Sequence, residues 1–178
     1  PWLYTLAFLI ALSVRLIGLG TLPLNDAESW LALQALHLAD GLKPVLGPHP
    51  AYILFTTPFF FLYGGGTNFL ARLIPALIGS ALVFAPLLFA DRFKPRPSLI
   101  LAFFIALDPG MIAISRQAGS PILAITFFAF AWGYWNQNKP RLFAAFSALA
   151  LLGGPSIWAG LLGIGITWAI RQGLEARS

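Results

Sequence analysis

Of 178 residues, 58% are hydrophobic and only 10% charged, with a mean hydropathy of +0.81; soluble domains carry about a quarter charged residues, so water is excluded as the main solvent. The net charge of +5 comes from bases standing singly or in short loops, without the basic helix or stripe that nucleic acid requires, so no nucleic-acid partner is expected. At roughly 20 apolar residues per crossing there is room for about six or seven spans.

The expected fold is all-α, a polytopic transmembrane helix bundle with an external juxtamembrane amphipathic helix. Residues 1–178 form one transmembrane unit whose first partner is the lipid bilayer. The chain opens at Pro1 inside an apolar run and closes at Ser178 just after another, which reads as a portion of a longer protein. Without cysteine there is no disulfide framework and no thiolate metal site.

Pro1 to Leu19 is the first expected span, with Arg15 close enough to its end to snorkel into the headgroups. A long loop, residues 20–66, follows. Within it Ala51 to Tyr63 is too short to cross, since about 13 residues at 1.5 Å each reach only ~20 Å of a ~30 Å core. It reads as interfacial or re-entrant. Asn68 to Ala90 is long enough to cross, whereas Ser98 to Ala113, Pro121 to Trp135, Leu142 to Leu152 and Pro155 to Ile170 are shorter. Gly64-Gly65-Gly66 lacks the strand and Lys-Ser/Thr of a phosphate loop and reads as a turn.

If Ala51 to Tyr63 does not cross, Arg92, Lys94, Arg96, Lys139, Arg141, Arg171 and Arg177 share one side. Arg15, Lys43, Arg72 and Arg116 fall opposite, with Asp26, Glu28, Asp40 and Asp108. The positive-inside rule then makes the basic side cytosolic. Loop 20–66, the Asp108 to Ser120 turn and the Gly153-Gly154-Pro155 break are external, and long connections are where a site is usually built.

Asn25 to Ala39 reads as a helix with Asn25 as N-cap and Glu28 completing a capping box. Its polar arc holds Asp26, Ser29, Trp30, Leu33, Gln34, His37 and Asp40. Glu28 falls in the apolar arc, where a carboxylate needs a partner. Either acid has two readings: helix capping, or a base that takes a proton from an acceptor hydroxyl or amine. Arg72 and Arg116, both at the external ends of spans, either snorkel or clamp a phosphate bidentately. His49 opens the half-embedded segment beside Pro50 and stands at headgroup level or beside substrate. No His or carboxylate pattern with ligand spacing accompanies these residues, so neither a protein-built metal site nor a cofactor is expected.

The order of "NDAESWLALQAL", "HPAYILF", "FLARLIPALIGS", "ISRQAGSP" and "LLGGPS" along nearly the whole chain resembles the C-type glycosyltransferases, including protein O-mannosyltransferases, aminoarabinose transferases and their bacterial relatives. The resemblance implies inverting transfer of a sugar from a polyprenyl-phosphate-linked donor to a glycan, lipid or protein acceptor on the extracytoplasmic face of the cell membrane. It makes Asp26 or Glu28 the base, sets Arg72 near the donor phosphate, and puts His49 and Arg116 beside the cavity. This chain departs from the family pattern where Ala27 replaces the Asp of an adjacent Asp-Glu, Pro121 follows the Ser-Arg turn without an acid, and Gly153 stands in place of a Lys. A non-catalytic relative, acting as a membrane partner subunit or lipid-linked-sugar translocation factor, is the alternative.

Overall fold

A computed structural model describes residues 2–90 and 95–175. Among them the secondary structure is helical throughout: α1 (Trp2–Leu16), α2 (Asp26–Ala39), α3 (Pro50–Tyr63), α4 (Asn68–Ala81) continuing as a 3-10 segment (Leu82–Phe89), α5 (Pro95–Leu107), α6 (Pro109–Ser115), α7 (Ile122–Asn136), α8 (Pro140–Leu152), a 3-10 turn (Pro155–Ile157) and α9 (Trp158–Glu175). The chain is therefore all-α.

Asn68–Phe89 is one helix of 22 residues, long and apolar enough to cross a membrane. Two bent pairs bring the number to three if each is one span: Arg96–Leu107 with Pro109–Ser115, bent by 56°, and Pro140–Leu152 with Pro155–Thr167, bent by 111°. The expected single run from Ser98 to Ala113 is thus broken, and the expected turn from Asp108 to Ser120 contains the short helix α6. The cause is local: Asp108 caps α6 by accepting from Met111 N at 2.7 Å, and Pro109 has no N–H with which to continue α5.

That break explains the main correction to the sequence reading. Arg15 does not snorkel; it is completely buried. Its Nη1 donates to Ala106 O at 3.1 Å and to Ala11 O at 3.1 Å, its Nη2 to Ile105 O at 3.3 Å, and its Nε to Ser115 Oγ at 2.8 Å. Ile105 O would have been the partner of the N–H that Pro109 lacks, and Ala106 O loses its partner as the chain turns into α6. Arg15 supplies the missing donors where its burial leaves no access for water to do so.

Tyr52 does the same for α4. Pro75 orphans the carbonyl of Ala71, and the Tyr52 hydroxyl donates to it at 2.8 Å. The contact also shows how α3 lies. Tyr52 reaches one turn into α4, while only residues 64–67 separate Tyr63 from the start of α4, so both ends of α3 stand level with the beginning of α4. The helix does not descend beside it, in keeping with the non-crossing reading of Ala51 to Tyr63. Gly64 ends α3 in the left-handed conformation (φ 78°), which glycine adopts without a side-chain clash.

The core joins α2, α3, α4, the 3-10 segment, α7 and α8 around Leu31, Ala35, Ile53, Phe60, Ile122 and Leu123, while α1 and α5 pack through Ala7, Ala11, Ala102 and Ala106. Small residues let α1 and α5 approach closely, as membrane helices do. Many large apolar side chains remain outside, among them Ile100 and Phe104 on α5 and Leu162 and Ile166 on α9. An exposed apolar surface of this extent needs lipid or protein to cover it.

The two ends of the bundle differ in charge. Tyr4 Oη meets Ser98 Oγ at 2.8 Å, and Gln137 Nε2 donates to Leu88 O at 3.3 Å, which gathers the start of α1, the start of α5 and the α7–α8 turn at one end. Arg96, Lys139 and Arg141 lie there with no described acid. The other end holds Arg15, Lys43, Arg72 and Arg116 against Asp26, Glu28, Asp40 and Asp108, a net charge of zero. Arg92, Lys94 and Arg177, which the sequence assigns to the basic side, lie outside the described residues together with Asp91, as do the side chains of Arg171 and Glu175.

Candidate functional site

The neutral end is organised by one carboxylate. Asn25 caps α2: its side chain accepts from Glu28 N at 2.9 Å, and Asn25 N donates to Glu28 Oε2 at 3.1 Å, a complete capping box. Capping fixes the rotamer that turns Glu28 inward, to 4% exposure.

There Arg72 meets it fork to fork, Nε to Oε1 at 2.9 Å and Nη2 to Oε2 at 2.7 Å. Ala118 N adds a fourth bond, to Oε1 at 2.8 Å. Arg72 spends its remaining donors on the carbonyls of Leu22 (2.9 Å), Pro23 (3.0 Å) and Leu19 (3.4 Å). Every N–H of the guanidinium and every lone-pair position of the carboxylate is used, which is what a buried ion pair requires.

Burial by itself would raise the Glu28 carboxyl, but the Arg72 hydrogen bonds, the backbone N–H groups of Ala118 and Asn25, and the Arg72 charge outweigh it. The group is held below the ordinary carboxylate value and is ionised near neutrality. The apolar arc in which the sequence put Glu28 does face the protein, as its cost demanded. Gln34, read as part of the polar arc, is also buried, and its Oε1 accepts from Val45 N at 2.8 Å, which ties down the loop after α2.

The other candidates stand around this pair. Asp26, at the first position of α2, is exposed, and its side chain makes no hydrogen bond or ion pair with the described residues. Arg116, half-buried, donates from Nη1 to Val14 O at 3.2 Å, and its Nε and Nη2 have no partner among the described residues. Since Ala118 lies two residues beyond Arg116 and bonds Glu28 two residues beyond Asp26, the turn after α6 and the start of α2 share one rim. Gly119 seals that rim: at φ 67° any β-carbon would run into Leu31 of α2.

His49 is separate from the ion pair. Its Nδ1 lies 3.0 Å from Gly153 O, and because a carbonyl only accepts, Nδ1 carries the proton of this bond, leaving Nε2 outside it. Gly154 (φ 127°) packs directly on the ring, where a side chain would collide with it. The structure thus joins the His-Pro and Gly-Gly-Pro segments, and joins Glu28 with Arg72; the side chain of Arg116 is bound to Val14 O of α1, two residues before the Ala118 N–H that Glu28 accepts.

Arg15, Ser115 and Tyr52, which hold this end together, were not singled out as partners in the sequence. The signal available was Pro75 and Pro109 within apolar helices, each announcing an orphaned carbonyl. Among the described residues no group of three or more His, Cys, Asp or Glu side chains is placed to hold a metal ion. No family model matches the chain, and no curated protein or solved structure matches it.

Proposed function

We propose that this chain is the polytopic membrane part of a glycosyltransferase that moves a sugar from a polyprenyl-phosphate donor to an acceptor at the extracytoplasmic leaflet. The observation that carries the proposal is the contrast between two acids two residues apart. Glu28 is saturated and locked; Asp26 is exposed, without an ion-pair partner among the described residues, and on the helix start whose Glu28 binds the turn after Arg116.

Chemically, Asp26 accepts the proton of an acceptor hydroxyl as that oxygen attacks the anomeric carbon. The bond from that carbon to the phosphate oxygen breaks, and the polyprenyl phosphate leaves. Charge gathers on its oxygens, where Arg116, with two unused donor nitrogens, stabilises it. Arg72 has no N–H to spare in this arrangement, so its part is to hold the acid-bearing helix on α4. His49 Nε2 offers a second polar contact for the sugar.

In membranes containing the intact protein and its donor, Asp26→Asn lowers transfer at least 100-fold while leaving the protein folded, in the range of a lost general base. Transfer within a few-fold of the wild type rules Asp26 out. A specific observation favours a second reading, a non-catalytic membrane subunit: the Glu28–Arg72 pair, the most elaborate polar feature at this end, is satisfied entirely within the chain. Absence of turnover with any polyprenyl-phosphate sugar, in a protein that still binds one, decides for it.

A further inference from the structure

Between α7 and α8 runs an open groove of about 510 Å³, walled by Phe128, Trp132, Trp135, Phe143 and Leu151, with Ser147 beside them. Its size is that of a small-molecule site, roughly 300–1,000 Å³. It has no part in the Glu28–Arg72 cluster. Trp135 also borders a second depression, about 280 Å³, formed with Asn138, Lys139 and Pro140 at the α7–α8 turn. The two share Trp135; Lys139 lines the second and Arg141 follows on the first turn of α8, so the mouth at the α7–α8 turn is basic.

Three facts decide what fits it. Trp132 and Trp135 are 49% and 62% exposed, as aromatic side chains are where headgroups meet acyl chains. Lys139 and Arg141 are exposed, and no described carboxylate pairs with either. The sequence has no acid at all between Asp108 and Glu175. A zwitterionic headgroup brings no net charge to such a mouth; an anionic one does.

We propose that this groove is a binding site for an anionic phospholipid of the leaflet on the basic side, with an acyl chain along Phe128, Trp132 and Phe143 and the phosphate on Lys139 and Arg141. The inference rests on the membrane-embedded reading but not on glycosyl transfer.

The test uses the intact protein in nanodiscs of equal dioleoylphosphatidylglycerol and dioleoylphosphatidylcholine, released into native mass spectrometry. The wild type retains one phosphatidylglycerol, favoured ~30-fold over phosphatidylcholine, as two juxtamembrane bases at about 1 kcal/mol each imply. Lys139→Gln with Arg141→Gln, both on the surface, brings the two lipids to near parity. Ser147→Trp, with its helical content checked by circular dichroism, loses the bound lipid. Equal retention of both lipids by the wild type, or a preference unchanged in the double variant, overturns the proposal. Failure to enter nanodiscs overturns the membrane reading with it, whereas selective lipid retention in a protein without transfer activity overturns only the proposed function.

Discussion

Arg72 Nη2 and Glu28 Oε2 stand 2.7 Å apart, buried, and 44 residues apart in the chain. The pair fastens α2 to the first turns of α4, and the three carbonyls that Arg72 also binds fasten the loop before α2 to the same point. Removing one partner strands a buried charge, which costs about 3–5 kcal/mol. Glu28→Ala and Arg72→Ala are each expected to lower the thermal unfolding midpoint sharply in detergent. The double variant Glu28→Leu with Arg72→Met, which removes both charges and retains volume, is expected to recover most of the loss.

The same pair makes stability depend on pH. The unfolded Glu28 carboxyl titrates near 4.5 and the folded one lower, so between those values the unfolded chain binds a proton that the native chain does not. Stability from this group is complete above about pH 4.5 and disappears as pH falls through the folded value. Denaturant midpoints taken from pH 7 to 3 should fall for the wild type more steeply than for Glu28→Gln, which starts lower and lacks this group's titration.

Tyr52 and Pro75 are expected to be coupled. Tyr52→Phe leaves Ala71 O without its donor, at a cost of about 1–3 kcal/mol. In a Pro75→Ala background the restored N–H of residue 75 serves that carbonyl, and Tyr52→Phe then costs less. A double-mutant cycle of unfolding free energies measures the difference.

Arg15→Met should destabilise by about 2–4 kcal/mol, because Ile105 O and Ala106 O lose donors in a place without water. Arg15→Lys keeps the charge but cannot span both carbonyls and Ser115 Oγ, so it should recover only part of the loss in the same unfolding assay.

Much of this architecture could be read from the residues in order. Asn25 with Glu28 announces the start of α2, Gly64 the turn after α3, and the 13 residues from Ala51 to Tyr63 are too few to cross. Glu28 in an apolar arc demands a cationic partner, but Arg15, Lys43, Arg72 and Arg116 all lie on its side in the sequence, and only packing selects Arg72. Arg15 was misplaced for a similar reason. Its position near a helix end is what a snorkelling arginine shows, and the carbonyls that draw it inward belong to α5, some 90 residues away. Asp26 as base, and Arg116 or His49 as substrate contacts, remain proposals resting on exposure, spare hydrogen-bonding groups and a resemblance.

The account depends above all on the two ends of the bundle facing opposite sides of a membrane. The sequence contains no cysteine, which makes Ser29→Cys and Asn138→Cys clean reporters in the intact protein once any cysteines beyond these residues are replaced. With a membrane-impermeant maleimide on intact cells, position 29 should label at once and position 138 only after permeabilisation. Labelling of both from the same side contradicts the account.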